Sequence, residues 1–186
     1  MKLISLEKKH QGKYLSYYEA TYLLENNKRK KYEFTSRDSA LSMEKFGKGK
    51  PQGVGMVVYS ESLDKVLLQA EFRLATNNFV YNFPAGLIDK DETPEETAKR
   101  EMKEETGLNL DKVIDVLPPS FASPGTSDEM MYIVICTAKG EIKESIFAEE
   151  EIHAKWYTKE EVRELIHKGA FMSVRTQMFL YEWSKN

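Results

Sequence analysis

Among the 186 residues there is a single cysteine, Cys136, so an internal disulfide is excluded. It closes the apolar run Met131-Tyr132-Ile133-Val134-Ile135-Cys136 and reads as a small hydrophobe in a strand, with nothing beside it to stabilise a thiolate. No stretch approaches the roughly 18 apolar residues of a membrane span, and the opening MKLISLEKKHQGKY lacks the apolar core of a secretory leader. The expectation is a cytoplasmic protein that does not engage a membrane. Net positive charge is lacking as well: 27 Lys and Arg against 30 Asp and Glu leave a formal charge of -3, no field for nucleic acid. Internal repeats and low-complexity segments are also missing. What remains, 41% hydrophobic and 31% charged, fills one ordinary core, with or without a small appended unit.

Residues 16–24 (SYYEATYLL) and 29–36 (RKKYEFTS) are rich in aromatic and β-branched types around the polar turn Glu25-Asn26-Asn27-Lys28, and read as a β-hairpin. The cluster Lys28-Arg29-Lys30-Lys31 reads as a solvated hairpin face. A glycine, lysine and proline stretch from Phe46 to Gly53 reads as a linker. The expected division is a small N-terminal β unit over 1–47 and a core domain over 48–186. Within the core, strands are expected at 54–59, 65–72, 79–83, 112–117, 129–138 and 152–157. Thr158 with Glu161 forms a capping box for a helix that Gly169 ends, and Ser173 opens another in which Val174, Met178 and Phe179 recur at helical spacing. Strands followed by helices place the chain in the α/β class.

Between Gly86 and Leu108 lies GLIDKDETPEETAKREMKEETGL. Thr93 caps a helix, Pro94 takes its first position, a glutamate completes the capping box, and Gly107 supplies a left-handed C-terminal cap. The helix is thereby bounded at about 94–106. Glu101, Glu104 and Glu105 fall at i, i+3 and i+4 on one face, an arrangement that is self-repelling on a solvated helix. Three carboxylates on one face are what a hard, oxygen-seeking dication requires. Arg100, four residues before Glu104, is placed to hold a carboxylate by a paired hydrogen bond, and Ala98 and Met102 form an apolar strip for packing on a sheet.

Read as a pattern, the stretch is Gly86, five residues, Glu92, seven residues, Arg100-Glu101-Met102, Glu104-Glu105 and Gly107-Leu108. It matches the Nudix box at every position, and the chain resembles the Nudix hydrolases. The resemblance implies the α/β/α sandwich of that family, with the N-terminal antiparallel β unit appended. It also implies cleavage of nucleoside diphosphates linked to another group, with magnesium, or manganese, as cofactor. On this basis Glu101 and Glu105, with Glu104 and the Ala85 carbonyl, are expected to hold metal. Gly86, Glu92 and Arg100 support the site.

The flanks look like the ADP-ribose and ADP-sugar pyrophosphatase branch. Pro124 stands sixteen residues after Leu108 within Ser123-Pro124-Gly125, followed by the acidic pair Asp128-Glu129. Phe72-Arg73 and Pro84-Ala85-Gly86 precede the box, and the hairpin ends in Ser36-Arg37. The resemblance implies a substrate contacted by Arg73, Arg37, Glu129 and Pro124, and a homodimer in which the N-terminal units exchange and help hold adenine. By local chemistry alone, Arg73 either pairs with a surface carboxylate or clamps diphosphate oxygens with its guanidinium fork. Pro124-Gly125 is otherwise a plain turn. Tyr14, Tyr17, Tyr18 and Tyr22 are packing or dimer residues, of which one could stack on adenine. The water-orienting carboxylate is expected after the box, from Glu149, Glu150 or Glu151, with Glu150 favoured; His10, His153 and His167 read as surface or packing residues.

Overall fold

Two strands escape a reading by composition, Lys2–Gln11 and the short Ala85–Leu87. Lys2–Gln11 (β1) is so charged that its alternation is faint, yet it pairs antiparallel with Ser16–Leu23 (β2) from Lys2↔Leu23 to Gln11↔Ser16. It is an edge strand, and its lysines suit that position because charge discourages further pairing. The hairpin expected next is present: β2 pairs with Arg29–Ser36 (β3), and the turn between them closes through Asn27 at φ 62°. The computed structural model describes residues 1–146 and 151–185.

Two compact units are found. The first comprises Met1–Gln52 with Pro119–Met131, and the second Gly53–Pro118 with Tyr132–Asn186. Linker composition put a division at 47–48 but had no means of attaching Pro119–Met131, which joins the N-terminal sheet through long-range bonds. The Thr35 N–H donates to the Thr126 carbonyl at 2.9 Å, and Gln52 and Met130 bond through the Gln52 N–H at 2.9 Å and the Met130 N–H at 2.8 Å. The core of this unit is Tyr18, Ala20 and Phe34, with Phe34 stacked between Tyr18 and Phe46. Of the hairpin tyrosines Tyr18 is therefore a packing residue, and its hydroxyl donates to the Asp38 carbonyl at 2.8 Å.

The second unit is built on Gly53–Tyr59 (β4), Lys65–Arg73 (β5), Asn78–Asn82 (β6), Ala85–Leu87 (β7) and the helix Pro94–Thr106 (α1). The strands Asn109–Phe121 (β8) and Met130–Lys139 (β9), which belong to this unit up to Pro118 and from Tyr132, and Ile152–Thr158 (β10) follow, then the helices Lys159–His167 (α2) and Val174–Lys185 (α3). The sheet order is β10-β5-β4-β9-β8, with β6 paired to β5 and β7 to β4. Side chains alternate across it, as strand geometry demands. Val54, Met56, Val58 and Leu67 face α1 and bury Ala98 and Met102, with Cys136 in the same cluster. Val66 and Leu68 face the other way, onto Val162 of α2 and Leu180 of α3. Helix, sheet and paired helices form the α/β/α arrangement. Among the described residues no helix is long and apolar enough to cross a membrane.

Both expected capping boxes are present, Thr93 with Glu96 and Thr158 with Glu161, and Gly107 and Gly169 adopt φ 72° and 74° after their helices. Helix α3 departs from expectation in its facing. Val174 and Met178 are 72% and 68% exposed, while Thr176, Leu180 and Ser184 are buried. Both sets repeat every four residues, so spacing alone could not choose between them. The buried polar groups are satisfied: Thr176 Oγ1 donates to Asn82 Oδ1 at 3.2 Å, and Ser184 Oγ donates to the Tyr181 carbonyl.

Candidate active site on the box helix

Strand β7 lies against β4 in the register Gly53↔Leu87, Val54↔Gly86 and Gly55↔Ala85, which delivers the chain to α1 through a short loop. Within it Asp91 takes φ 68°, and the Glu92 N–H donates to the Asp89 carbonyl at 3.1 Å. Thr97, Ala98 and Met102 anchor α1 to the sheet. Burying Met102 fully is worth several kcal/mol, about 2–5 by the cost of truncating such residues to alanine. The acidic face is thereby fixed at the edge of the core.

Glycine is required at 86 by close approach. A Cβ added there would meet Glu101 Cδ and Oε1 at 1.9 Å, so the Glu101 carboxylate packs directly on that backbone. Arg100 then ties the site together. Its Nε and NH2 donate to the two oxygens of Glu92 at 2.8 and 2.9 Å, so the carboxylate held by a paired hydrogen bond is that of Glu92. Its NH1 donates to Glu101 at 2.8 Å and Glu104 at 3.1 Å, and NH2 also reaches the Leu87 carbonyl at 3.0 Å. Arg100 holds the Glu92 carboxyl down at about 2, assisted by hydrogen bonds from Thr97 and the Asp89 backbone. Glu105 turns into the core, where it is 7% exposed and accepts from Gln69 Nε2 at 2.9 Å.

The i, i+3, i+4 geometry thus brings Glu101 and Glu104 together, but onto Arg100, while Glu105 is held from β5. Among the described residues no three acidic, histidine or cysteine side chains stand close enough together to hold a metal ion as they lie. The donor chemistry nonetheless fits a hard dication: carboxylate oxygens on one helix face, a clear backbone at Gly86 against which Glu101 packs, and the half-buried Ala85 one residue earlier.

Ala85 also lines a cavity of about 270 Å³ in the second unit, together with Arg73, Asn82, Phe83, Arg175 and Phe179. Arg73 NH2 pairs with Glu71 at 2.7 Å, and the residue borders this cavity. Arg175 had no signal in the sequence beyond a cation in a helix. Gln69 did have one, as a polar residue directly after the apolar run Val66-Leu67-Leu68 of β5.

Arg37, Glu129 and Pro124 lie in the first unit. Arg37 Nε donates to Glu129 at 2.9 Å, and both line a hollow of about 190 Å³ with Ser36 and Asp128. Ser36 Oγ donates to Asp128 at 2.9 Å, and burial pushes that carboxyl up. Pro124 is exposed in a turn whose Gly125 carbonyl accepts from Tyr32 at 2.7 Å. Glu149 and Glu150 lie outside the described residues. Glu151 is exposed just before β10, 3.7 Å from His153, which is exposed like His10 and His167.

A family model described as the NUDIX domain matches residues 49–175. The ADP-ribose pyrophosphatase of Bacillus subtilis (strain 168) is 25% identical over 177 residues, covering 94% of this chain and 88% of that protein. The ADP-sugar pyrophosphatase of Mus musculus is 36% identical over 76 residues, 41% of this chain and 34% of its own length. A crystal structure described as an ADP compounds hydrolase aligns over 99% of this chain and 94% of its own, with a TM-score of 0.74 at 22% identity, a likeness of fold. With the box complete and the family model matched across more than half of its length, the chain belongs to the Nudix family.

Proposed function

We propose that this Nudix protein hydrolyses the diphosphate of ADP-ribose to AMP and ribose 5-phosphate. The observation that carries the reading is the acidic face of α1, with Glu101 packed on Gly86 beside an arginine-bordered cavity that begins at Ala85. The Bacillus subtilis relative, similar along nearly the whole chain, gives the substrate class its support.

In this reading Glu101 and Glu105, with Glu104 and the Ala85 carbonyl, hold magnesium, manganese being the alternative. When bound, such ions polarise a phosphoryl oxygen and make bound water more acidic. Glu92 and Arg100 keep Glu101 and Glu104 in place. Arg73 orients the diphosphate, for which a guanidinium fork is suited. Glu150, with Glu149 and Glu151 as alternatives, receives the proton of the attacking water as one phosphorus–oxygen bond of the bridge breaks. Arg37, Glu129 and Pro124 contact substrate from the N-terminal side of a homodimer, in the cytoplasm.

Incubation with magnesium and a panel of ADP-ribose, ADP-glucose, ADP-mannose, a dinucleoside polyphosphate and an oxidised nucleotide tests the reading, with AMP as product. Fastest turnover of ADP-ribose is expected. Preference for another member of the panel would move the assignment within the family. Tight binding of ADP-ribose without cleavage would make the chain a sensor instead.

A further inference from the structure

Gln69 occupies the middle of β5 on the face that meets α1, two residues on from Leu67 and on the same side, and is 2% exposed. An amide in that position costs stability unless it is bonded. Its partner is Glu105, itself buried, at 2.9 Å. An ionised carboxylate only accepts hydrogen bonds, so the amide presents its NH2 to it. A neutral donor restrains one oxygen of the acid without cancelling its charge, as a lysine or arginine there would. The strand gives the donor a rigid base, since Gln69 is paired with Asn82 of β6 on one side and Ala154 of β10 on the other.

We propose that Gln69 is a positioning residue: it sets the orientation of the buried Glu105 carboxylate so that the acid serves a divalent cation at the acidic face of α1. The inference rests on Glu105 being a metal ligand, as in the function proposed above. It adds a residue outside the box, on a different element, to the machinery that makes the box work.

The test is Mn2+ binding followed by electron paramagnetic resonance of the free ion, alongside kcat and KM with ADP-ribose. The variants are Gln69→Met, which keeps the volume, and Gln69→Glu, which replaces the donor by an acceptor, with Glu105→Gln as reference. Circular dichroism and a cooperative melt establish folding, and having two variants covers the failure of either one to fold. Both Gln69 variants should bind Mn2+ about 10-fold or more weakly, the scale on which partners of metal ligands act. KM for the nucleotide at saturating metal should stay within about twofold while kcat falls. Wild-type Mn2+ affinity in folded Gln69→Met, with Glu105→Gln impaired, overturns this inference alone. Unchanged Mn2+ binding in Glu105→Gln overturns the metal-ligand reading of Glu105 and the role of Gln69 with it.

Discussion

The Glu101 carboxylate lies where a side chain at Gly86 would begin, 1.9 Å from the position of its Cβ. A glycine outside the helix therefore decides where an acid on the helix can sit. Gly86→Ala should retain the secondary structure, because β7 continues to pair with β4, but displace Glu101 by about an ångström. A misplacement of that size at a reacting centre costs on the order of 100-fold in rate. Steady-state kinetics beside circular dichroism check this: an alanine variant with unchanged kcat would mean that the contact has no functional consequence.

The Arg100–Glu92 pair makes a prediction in acid. The Glu92 carboxyl titrates at about 2 in the folded chain against 4.5 for its ordinary value, with Arg100 as the first cause. A carboxyl whose folded value is depressed adds stability that is fully present above the ordinary value. That stability is lost as pH falls through the folded one. The melting temperature should therefore decline between about pH 4.5 and 2. Glu92→Gln should melt lower at neutral pH and show a shallower decline over that window. Parallel curves for the two proteins would remove Glu92 from the acid response.

Burial pushes the Cys136 thiol up to about 12, among Val134, Met56 and Leu108. The thiolate is the reactive form, so at pH 8 the folded chain should resist alkylation by iodoacetamide. Unfolding in guanidinium should expose the residue to full modification. Rapid labelling of the native protein, read by mass, would contradict the packing described for β9.

For Arg37 and Glu129 the expected split is between stability and affinity. Their ion pair is partly exposed, at 38% and 29% of the side chains, so its loss should cost at most about 1 kcal/mol. If Arg37 also contacts substrate, Arg37→Glu should raise KM for ADP-ribose about 10-fold, and adding Glu129→Arg should restore the melting temperature but not KM. Recovery of both in the double variant would reduce the pair to a structural brace.

Much of this architecture was legible because it depends on local signals. Thr93, Pro94 and Gly107 bounded α1, Thr158 and Gly169 bounded α2, and runs of apolar, aromatic and β-branched residues located most strands. What escaped depends on distance in the chain. Strand β1 exists because β2 offers it an edge, not because KLISLEKKHQ announces a strand. Residues Pro119–Met131 join the N-terminal sheet through bonds that span some ninety positions, such as Thr35 to Thr126. On α3 two stripes of the same period compete, and contact with Asn82 and the sheet buries the one carrying Thr176 and Leu180. At the site, spacing put the three glutamates on one face but could not foresee that Arg100 would take hold of two of them and Gln69 the third.

The most direct test of the account joins product to residue. Purified protein with ADP-ribose and magnesium should yield AMP and ribose 5-phosphate in equal amounts, with no product when chelator is present. Glu101→Gln, folded and melting cooperatively, should lose at least about 100-fold of that rate, since its loss removes a proposed ligand rather than a supporting partner. No AMP from the wild type, or Glu101→Gln turning over at the wild-type rate, would contradict hydrolysis at the box helix.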